Sequence, residues 1–97
     1  MMIVHIALFQ WKKGVSKKRI NKAMQNVRKL KNKIHGLIDI MCGENFSKYA
    51  EGFTHAVVVL AENRAALETY RNHPAHRIVA EEIEKMEEHG IGIDFKK

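Results

Sequence analysis

Two short segments that are apolar on both faces constrain the fold of this chain more than any other feature. Residues 2–11 and 54–61 are nearly unbroken runs of aliphatic and β-branched residues, which is typical of strands buried on both sides. Because alternate side chains of a strand face opposite sides of its sheet, both faces need a cover. The first strand presents, on one side, His5, Ala7, Phe9 and Trp11 and, on the other, Val4, Ile6 and Leu8.

Helical patterns lie between and after these strands. Apolar residues at spacings of three and four predict a first helix over residues 17–34. A second helix runs from Asn63 to His73, where it must end because the residue before a proline is disfavoured in helical conformation. Pro74 suits the first turn of a third helix, which Gly90 ends. Two more strands are predicted, one at residues 37–42 and one at the alternating Ile91, Ile93 and Phe95.

The resulting order, β-α-β-β-α-α-β, predicts one α+β domain over residues 1–97. This is a split β-α-β arrangement of the ferredoxin-like kind, with a four-stranded antiparallel sheet. From the right-handedness of crossovers we expect strands 1 and 3 to be parallel neighbours at the centre of that sheet.

One layer of helices can cover only one face of such a sheet. The uncovered face would then be a large exposed apolar patch, which monomeric proteins avoid. A second copy of the chain, packed sheet against sheet, is the simplest cover. We therefore expect a homodimer that forms a dimeric α+β barrel.

Positive charge is concentrated in the first third of the chain. The formal net charge is +6, and ten basic residues precede Asp39 while no acidic residue does. A nucleic-acid partner is one interpretation of this asymmetry. We prefer a solvated helix face and expect no nucleic-acid partner, because no aromatic residues alternate with the basic ones to stack on bases.

The remaining composition is that of an ordinary soluble globular domain. No apolar run approaches the ~20 residues that span a bilayer, so we expect no membrane association. The first residues carry no export signal. Cys42 is the only cysteine, which excludes an internal disulfide and fits a reducing compartment. We expect a cytoplasmic location.

Histidine and tyrosine side chains are predicted to meet in one pocket. Since strands 1 and 3 are expected to be parallel, His5 and His55 should lie at the same end of the sheet, and the second helix should return towards that end. Connectivity thus predicts that Tyr70, His73 and His76 approach the two strand histidines. The apolar walls are expected to come from Ala7, Phe9, Val57 and Val59.

Each polar residue also has a structural interpretation. A histidine in a strand is more often a satisfied core residue than a base, and His73 suits a turn in which it bonds the helix end. His73 and His76 have a spacing seen in metal sites, but Pro74 interrupts it and no cysteine or carboxylate completes a set, so we expect no metal. No phosphate-binding or nucleophile motif is present, and we expect no cofactor.

Five short motifs are spread along essentially the whole chain: residues 3–5, Cys42-Gly43, residues 51–55, residues 70–76 and Ile93-Asp94-Phe95. Together they resemble the stress-responsive α/β-barrel domain (Dabb) family, which implies a dimeric α+β barrel. The best-defined activity of that family is the cofactor-free aldol-type closure of a tetraketide thioester by the plant olivetolic acid cyclase. On this resemblance His76 is the base, Tyr70 orients a carbonyl, and His5 and His55 are further pocket histidines, whereas Val27 replaces a pocket tyrosine.

Two functions of different class follow. The first is a cofactor-free cyclase-like or lyase-like enzyme in which a Tyr70–His76 pair acts on an apolar carbonyl or aromatic compound. The alternative is a stress-associated protein that binds a small molecule without catalysis. A monooxygenase ranks below both, because the sequence carries no signal for flavin or haem.

Overall fold

The computed structural model describes residues 2–97 and confirms the predicted order of elements. The strands and helices are β1 (Ile3–Trp11), α1 (Lys17–Lys29), β2 (Leu37–Glu44), β3 (His55–Ala61), α2 (Arg64–Asn72), α3 (Pro74–Met86) and β4 (Glu87–Lys96). A single 3-10 turn, Leu30–Asn32, extends α1. Helices lie on one face of a four-stranded antiparallel sheet, so the protein has a ferredoxin-like α+β fold.

Side-chain caps fix where the helices begin. The Ser16 hydroxyl oxygen accepts a hydrogen bond from the backbone N–H of Arg19 at 3.1 Å, and the side-chain Oδ1 of Asn63 accepts one from the backbone N–H of Ala66 at 2.8 Å. His73 caps α3, since its Nδ1 accepts from the Ala75 N–H at 3.0 Å. Each cap satisfies a backbone donor that the first helical turn leaves without a partner.

The sheet order is β2-β3-β1-β4, and β1 and β3 are antiparallel rather than parallel. The predicted direction was wrong for a simple reason. The α1 crossover returns the chain so that β2 runs with β1, and the β2–β3 connection then reverses it before β3 enters between them. In the resulting register, His5 lies opposite Val59 and His55 lies opposite Phe9. At ~3.3 Å per residue, the two histidines are separated by roughly 13 Å along the sheet.

The two faces of the sheet divide as the alternation predicts. Residues directly opposite each other in an antiparallel pair share a face. The odd-numbered positions of β1 therefore share the helix-covered face with Val57 and Val59, which are buried in the core beneath α1 and α2. Leu30, Val59 and Met86 are the most deeply buried large side chains in the described chain.

The opposite face, which we call the bare face, is apolar across β1, β3 and β4. Ile6 lies between Val58 and Ile93, and Leu8 lies opposite Ile91. On this face Ile91 and Ile93 are each 43% exposed and Phe95 is 48% exposed. No segment of residues 2–97 covers them.

The α3–β4 junction differs from the prediction. The helix ends at Met86 and the strand begins at Glu87, so Gly90 lies inside β4 instead of ending the helix. Met86 is fully buried, and its carbonyl accepts a hydrogen bond from the Lys12 N–H at 2.8 Å. This contact ties the end of α3 to the end of β1, where a register shift lies between Gln10 and Trp11. The chain therefore enters the sheet without a connecting loop.

None of the helices found between residues 2 and 97 is long and apolar enough to cross a membrane.

Candidate functional site

The bend between α2 and α3 brings Tyr70 and His76 together. His73 has an extended backbone before Pro74, so α2 ends and α3 begins in a new direction. The Tyr70 and His76 ring centroids lie 4.3 Å apart, and the His5 ring lies 6.3 Å from that of Tyr70. Tyr70 is only 4% exposed. Three of the predicted polar residues thus form one cluster.

These three residues line a cavity of about 170 Å³ between the sheet and the helices, which we call the inner cavity. Ala7, Phe9 and Val57 are among the apolar residues of its lining, together with Val27 of α1. Val59 is not part of the lining and is fully buried in the core. His73 is also outside the lining and caps α3, in line with its structural interpretation.

A backbone carbonyl fixes the hydrogen-bonding role of His76. Its Nδ1 lies 3.1 Å from the Arg71 carbonyl oxygen, which can only accept, so Nδ1 carries the proton. The lone pair of the neutral ring is then on Nε2. Burial lowers the pKa of His76, with a smaller contribution from the nearby His5, while the Arg71 carbonyl acts in the opposite direction. The side chain is therefore a neutral imidazole with a free basic nitrogen.

The Tyr70 hydroxyl stays protonated beside this imidazole. Burial raises the pKa of Tyr70 to about 12, with the positive charge of Arg71 opposing the shift. A neutral phenol donates one hydrogen bond. The cavity therefore offers a base and a hydrogen-bond donor on adjacent side chains.

His5 is held by a carboxylate that the sequence analysis missed. Asp94 of β4 lies opposite His5 in the sheet, and the His5 Nδ1 is 2.5 Å from its Oδ1. The second carboxylate oxygen accepts a hydrogen bond from Arg71, which also pairs with Glu68 at 3.2 Å. Although burial acts to raise it, these hydrogen bonds from Arg71 and His5 hold the pKa of Asp94 below its usual value. The sequence did carry a signal for it, because Asp94 alternates with Ile93 and Phe95 and so must lie on the opposite face of β4 from these two residues.

Two carboxylates also border the inner cavity. Glu84 at the end of α3 and Glu87 at the start of β4 are part of its lining. Burial and the neighbouring Glu84 raise the pKa of Glu87. Negative charge at this border disfavours anionic ligands.

His55 does not belong to this cluster, which corrects the predicted grouping. It is 8% exposed and lies near the other end of the sheet, beside Trp11. Its Nδ1 accepts a hydrogen bond from the Trp11 indole N–H at 2.9 Å, and the Thr54 hydroxyl lies at the same distance. The antiparallel direction of β3 explains the separation, because it moves the start of β3 away from the start of β1.

Among the described residues, 2–97, no group of three or more His, Cys, Asp or Glu side chains is arranged to hold a metal ion.

The stress responsive A/B barrel domain model matches residues 3–97, which is almost the whole chain. The chain belongs to this family. The match confirms the resemblance seen in the motifs, and it covers every element that forms the inner cavity. No curated protein sequence matches the chain at a significant level.

Solved structures share the fold of this Dabb protein over nearly its full length. A dimeric ferredoxin-like protein of unknown function from Thermobifida fusca is 27% identical, with a TM-score of 0.89 over 100% of this chain and 92% of its own. An Arabidopsis thaliana protein is also 27% identical, with a TM-score of 0.90 over 98% and 94%. A hydroxynitrile lyase from Passiflora edulis is 20% identical, with a TM-score of 0.89 over 97% and 91%.

Proposed function

We propose that the inner cavity catalyses cofactor-free proton transfer at the carbon beside the carbonyl group of a small uncharged compound. The observation that carries this proposal is the Tyr70–His76 pair, in which a neutral imidazole with a free Nε2 lies beside a phenol. Enolate formation needs a base for the α-proton and a donor for the carbonyl oxygen. The same step begins an aldol-type condensation.

In this reaction the lone pair of His76 Nε2 takes the α-proton. The C–H electron pair forms a carbon–carbon double bond, and the carbonyl electrons move to oxygen. The Tyr70 hydroxyl donates a hydrogen bond to that oxygen. This bond stabilises the negative charge that develops there in the transition state. His5, whose Nδ1–H is held by Asp94, forms the polar floor. Return of a proton from His76 to carbon completes an exchange cycle and restores the neutral imidazole.

The volume and charge of the inner cavity define the substrate class. A 150 Å³ apolar cavity holds about one benzene ring, and the inner cavity is of similar size, at about 170 Å³. It therefore suits a compound with roughly six to nine heavy atoms better than an extended tetraketide. Glu84 and Glu87 at its border favour uncharged compounds over anions.

Deuterium exchange tests this proposal without knowledge of the natural substrate. Cyclohexanone in D2O, followed by proton NMR, exchanges its α-protons slowly in buffer alone. The protein should accelerate the exchange. His76→Ala should lower the catalysed rate by about 100- to 10,000-fold, and Tyr70→Phe by roughly 10- to 1000-fold.

His35→Ala is the matched control, because His35 is an exposed histidine outside the site. It should exchange cyclohexanone as the wild type does. Equal rates for wild type and His76→Ala would overturn the catalytic proposal. If cyclohexanone nevertheless protected the protein against heat, the non-catalytic binding function would replace it.

For assembly, we propose that two copies pair through their bare faces. Support comes from the exposed Ile91, Ile93 and Phe95, and from the Thermobifida fusca structure, which is described as dimeric. Packing the two sheets together would remove these side chains from water and complete a barrel.

Sedimentation at micromolar concentration should therefore give twice the 11.2 kDa chain mass. Val58→Asp should produce monomers or unfolded chains, since burying an unpaired carboxylate costs several kcal/mol. Ile93→Asp makes the same test at a more exposed position. Ile78→Asp is the control, because Ile78 lies on α3 and is 71% exposed. A stable wild-type monomer would exclude the pairing.

A further inference from the structure

A second and larger cavity lies on the helix-covered side of the sheet, beyond Trp11. Its volume is about 530 Å³, and it lies between α1 and the ends of β2 and β3. Phe9, which lines the inner cavity, stacks on Trp11. The two ring centroids lie 5.2 Å apart, and the ring planes are inclined by 11°. Trp11 in turn borders the second cavity, which we call the outer cavity. The stacked pair thus stands between the two, and the outer cavity has no part in the proton transfer proposed above.

His55 presents a hydrogen-bond donor to the outer cavity. Its Nδ1 must be unprotonated, because the Trp11 indole N–H can only donate to it. In the neutral ring the proton is therefore on Nε2. Within residues 2–97 no protein group accepts this proton, and no buried polar side-chain atom is without a partner. The Nε2–H of His55 is consequently accessible from the cavity that His55 lines.

The rest of the lining combines apolar surface with positive charge. Trp11, Ile20 and Met24 supply the apolar part, while Lys17 and Arg28 supply two cations. One guanidinium nitrogen of Arg28 donates to the Cys42 carbonyl at 3.0 Å, which leaves further N–H groups free.

One carboxylate opposes these cations. Glu44 lies directly opposite His55 across β2 and β3, so it shares the same face of the sheet and borders the cavity. The lining therefore carries two positive charges and one negative charge, and the His55 donor adds to its attraction for an anion.

We infer that the outer cavity binds an aromatic carboxylate, with its ring against Trp11 and Met24 and its carboxylate between Arg28 and the His55 Nε2–H. Guanidinium groups suit carboxylates because their N–H groups match the two oxygens. The aromatic ring packs against the apolar residues of the lining, away from the charged groups. This ligand differs in charge from the uncharged substrate proposed for the inner cavity.

Trp11 is the only tryptophan of the chain, so its fluorescence reports directly on this cavity. The probe is 4-phenylbutyrate, which does not absorb where tryptophan is excited selectively, and 4-phenylbutan-1-ol is its uncharged counterpart. We expect a saturable change in Trp11 emission with the carboxylate, and binding at least tenfold weaker for the alcohol. Arg28→Gln should weaken carboxylate binding by about tenfold or more, the value of one charge-assisted hydrogen bond.

Three more variants locate the ligand. Lys22→Gln, an exposed lysine of α1 outside the lining, should bind as the wild type does. Glu44→Gln should bind more tightly, because it removes the opposing carboxylate. Asn21→Phe should abolish the response by filling the cavity, and since Asn21 is exposed, thermal unfolding should show that the fold is kept.

His76→Ala distinguishes this proposal from the proposed function. It alters the inner cavity, so 4-phenylbutyrate should bind this variant with wild-type affinity even though proton exchange is lost. Loss of binding in His76→Ala would place the carboxylate in the inner cavity and overturn the inference. So would equal affinity for the alcohol, equal effects of Arg28→Gln and Lys22→Gln, or no saturable change at millimolar probe.

Discussion

The inner and outer cavities lie under the same sheet, and each contains a largely buried histidine whose pKa is lowered by burial. The two rings nevertheless have opposite roles. The Nδ1–H of His76 donates a hydrogen bond to a backbone carbonyl, which leaves Nε2 as a base. His55 instead accepts a hydrogen bond from the Trp11 N–H at Nδ1, which leaves its Nε2–H as a donor. The charges also differ, since Glu84 and Glu87 border one cavity and Lys17 and Arg28 the other.

This contrast shows that burial alone does not decide what a histidine does. Burial makes both imidazoles neutral, and the partner at Nδ1 then decides which nitrogen carries the remaining proton. A carbonyl partner leaves a base, and an indole partner leaves a donor. The chemistry of each cavity therefore depends on one neighbouring group.

The sharpest test of the contrast replaces each of the two histidines by alanine and compares the effects on proton exchange and on ligand binding. His76→Ala should reduce cyclohexanone exchange by about 100- to 10,000-fold, because it removes the base. His55→Ala should instead weaken 4-phenylbutyrate binding by a larger factor than it slows exchange. Measuring both quantities on both variants gives four values. Parallel losses of exchange and binding in each variant would mean that the two cavities act as one.

A smaller effect is expected for the carboxylate that holds His5. Asp94→Asn removes the charge that pairs with Arg71 and allows the amide to reorient the His5 ring, so kcat for exchange should fall by about tenfold. The KM for cyclohexanone should change little. Asp39→Asn is the matched control, since the other aspartate lies on β2 away from the cavity. An unchanged kcat in Asp94→Asn would remove His5 from the mechanism.

The pH dependence of exchange should follow His76. The neutral imidazole is the active form, and protonation inactivates it as pH falls. Because burial lowers the pKa of His76, the acidic limb of the kcat/KM profile should lie below the ordinary histidine value of about 6.5. An acidic limb at or above that value would contradict a buried base. The limb should be absent in the residual rate of His76→Ala.

The smallest expected effect concerns the charge at the border of the inner cavity. Glu87→Gln should lower the KM for the anionic ketone levulinate by about two- to fivefold, as expected for a partly exposed charge, and less at high salt. The KM for cyclohexanone should stay the same. Glu88→Gln, an exposed neighbour outside the lining, should change neither value.

The sequence was sufficient for the elements and for the faces of the strands. Alternation placed Ala7 and Phe9 on the same face of β1, and the proline after His73 predicted the bend that brings Tyr70 to His76. These features depend on local geometry, in which each residue determines its own conformation or that of a near neighbour.

Features that depend on register or on hydrogen positions were beyond the sequence. The start of β4 at Glu87 sets Asp94 opposite His5, and this pairing follows from how distant segments align. The direction of β3, which separates His55 from His5, was instead implied by the predicted order of elements and was assigned wrongly. The opposite protonation of His55 and His76 depends on partners at Nδ1 that belong to other turns or strands.

β4 connects assembly with chemistry through the alternation of its side chains. Ile93 and Phe95 face the bare side, and Asp94 between them holds His5 on the other. β4 is also an edge strand, and its residues beyond Glu87 are exposed in the single chain. With the bare faces paired, contacts from the second copy would restrict the motion of β4, the strand that orients His5. The rate per chain should then fall on dilution below the dissociation constant of the pair, so an assay in very dilute solution would report less activity than the protein has at high concentration.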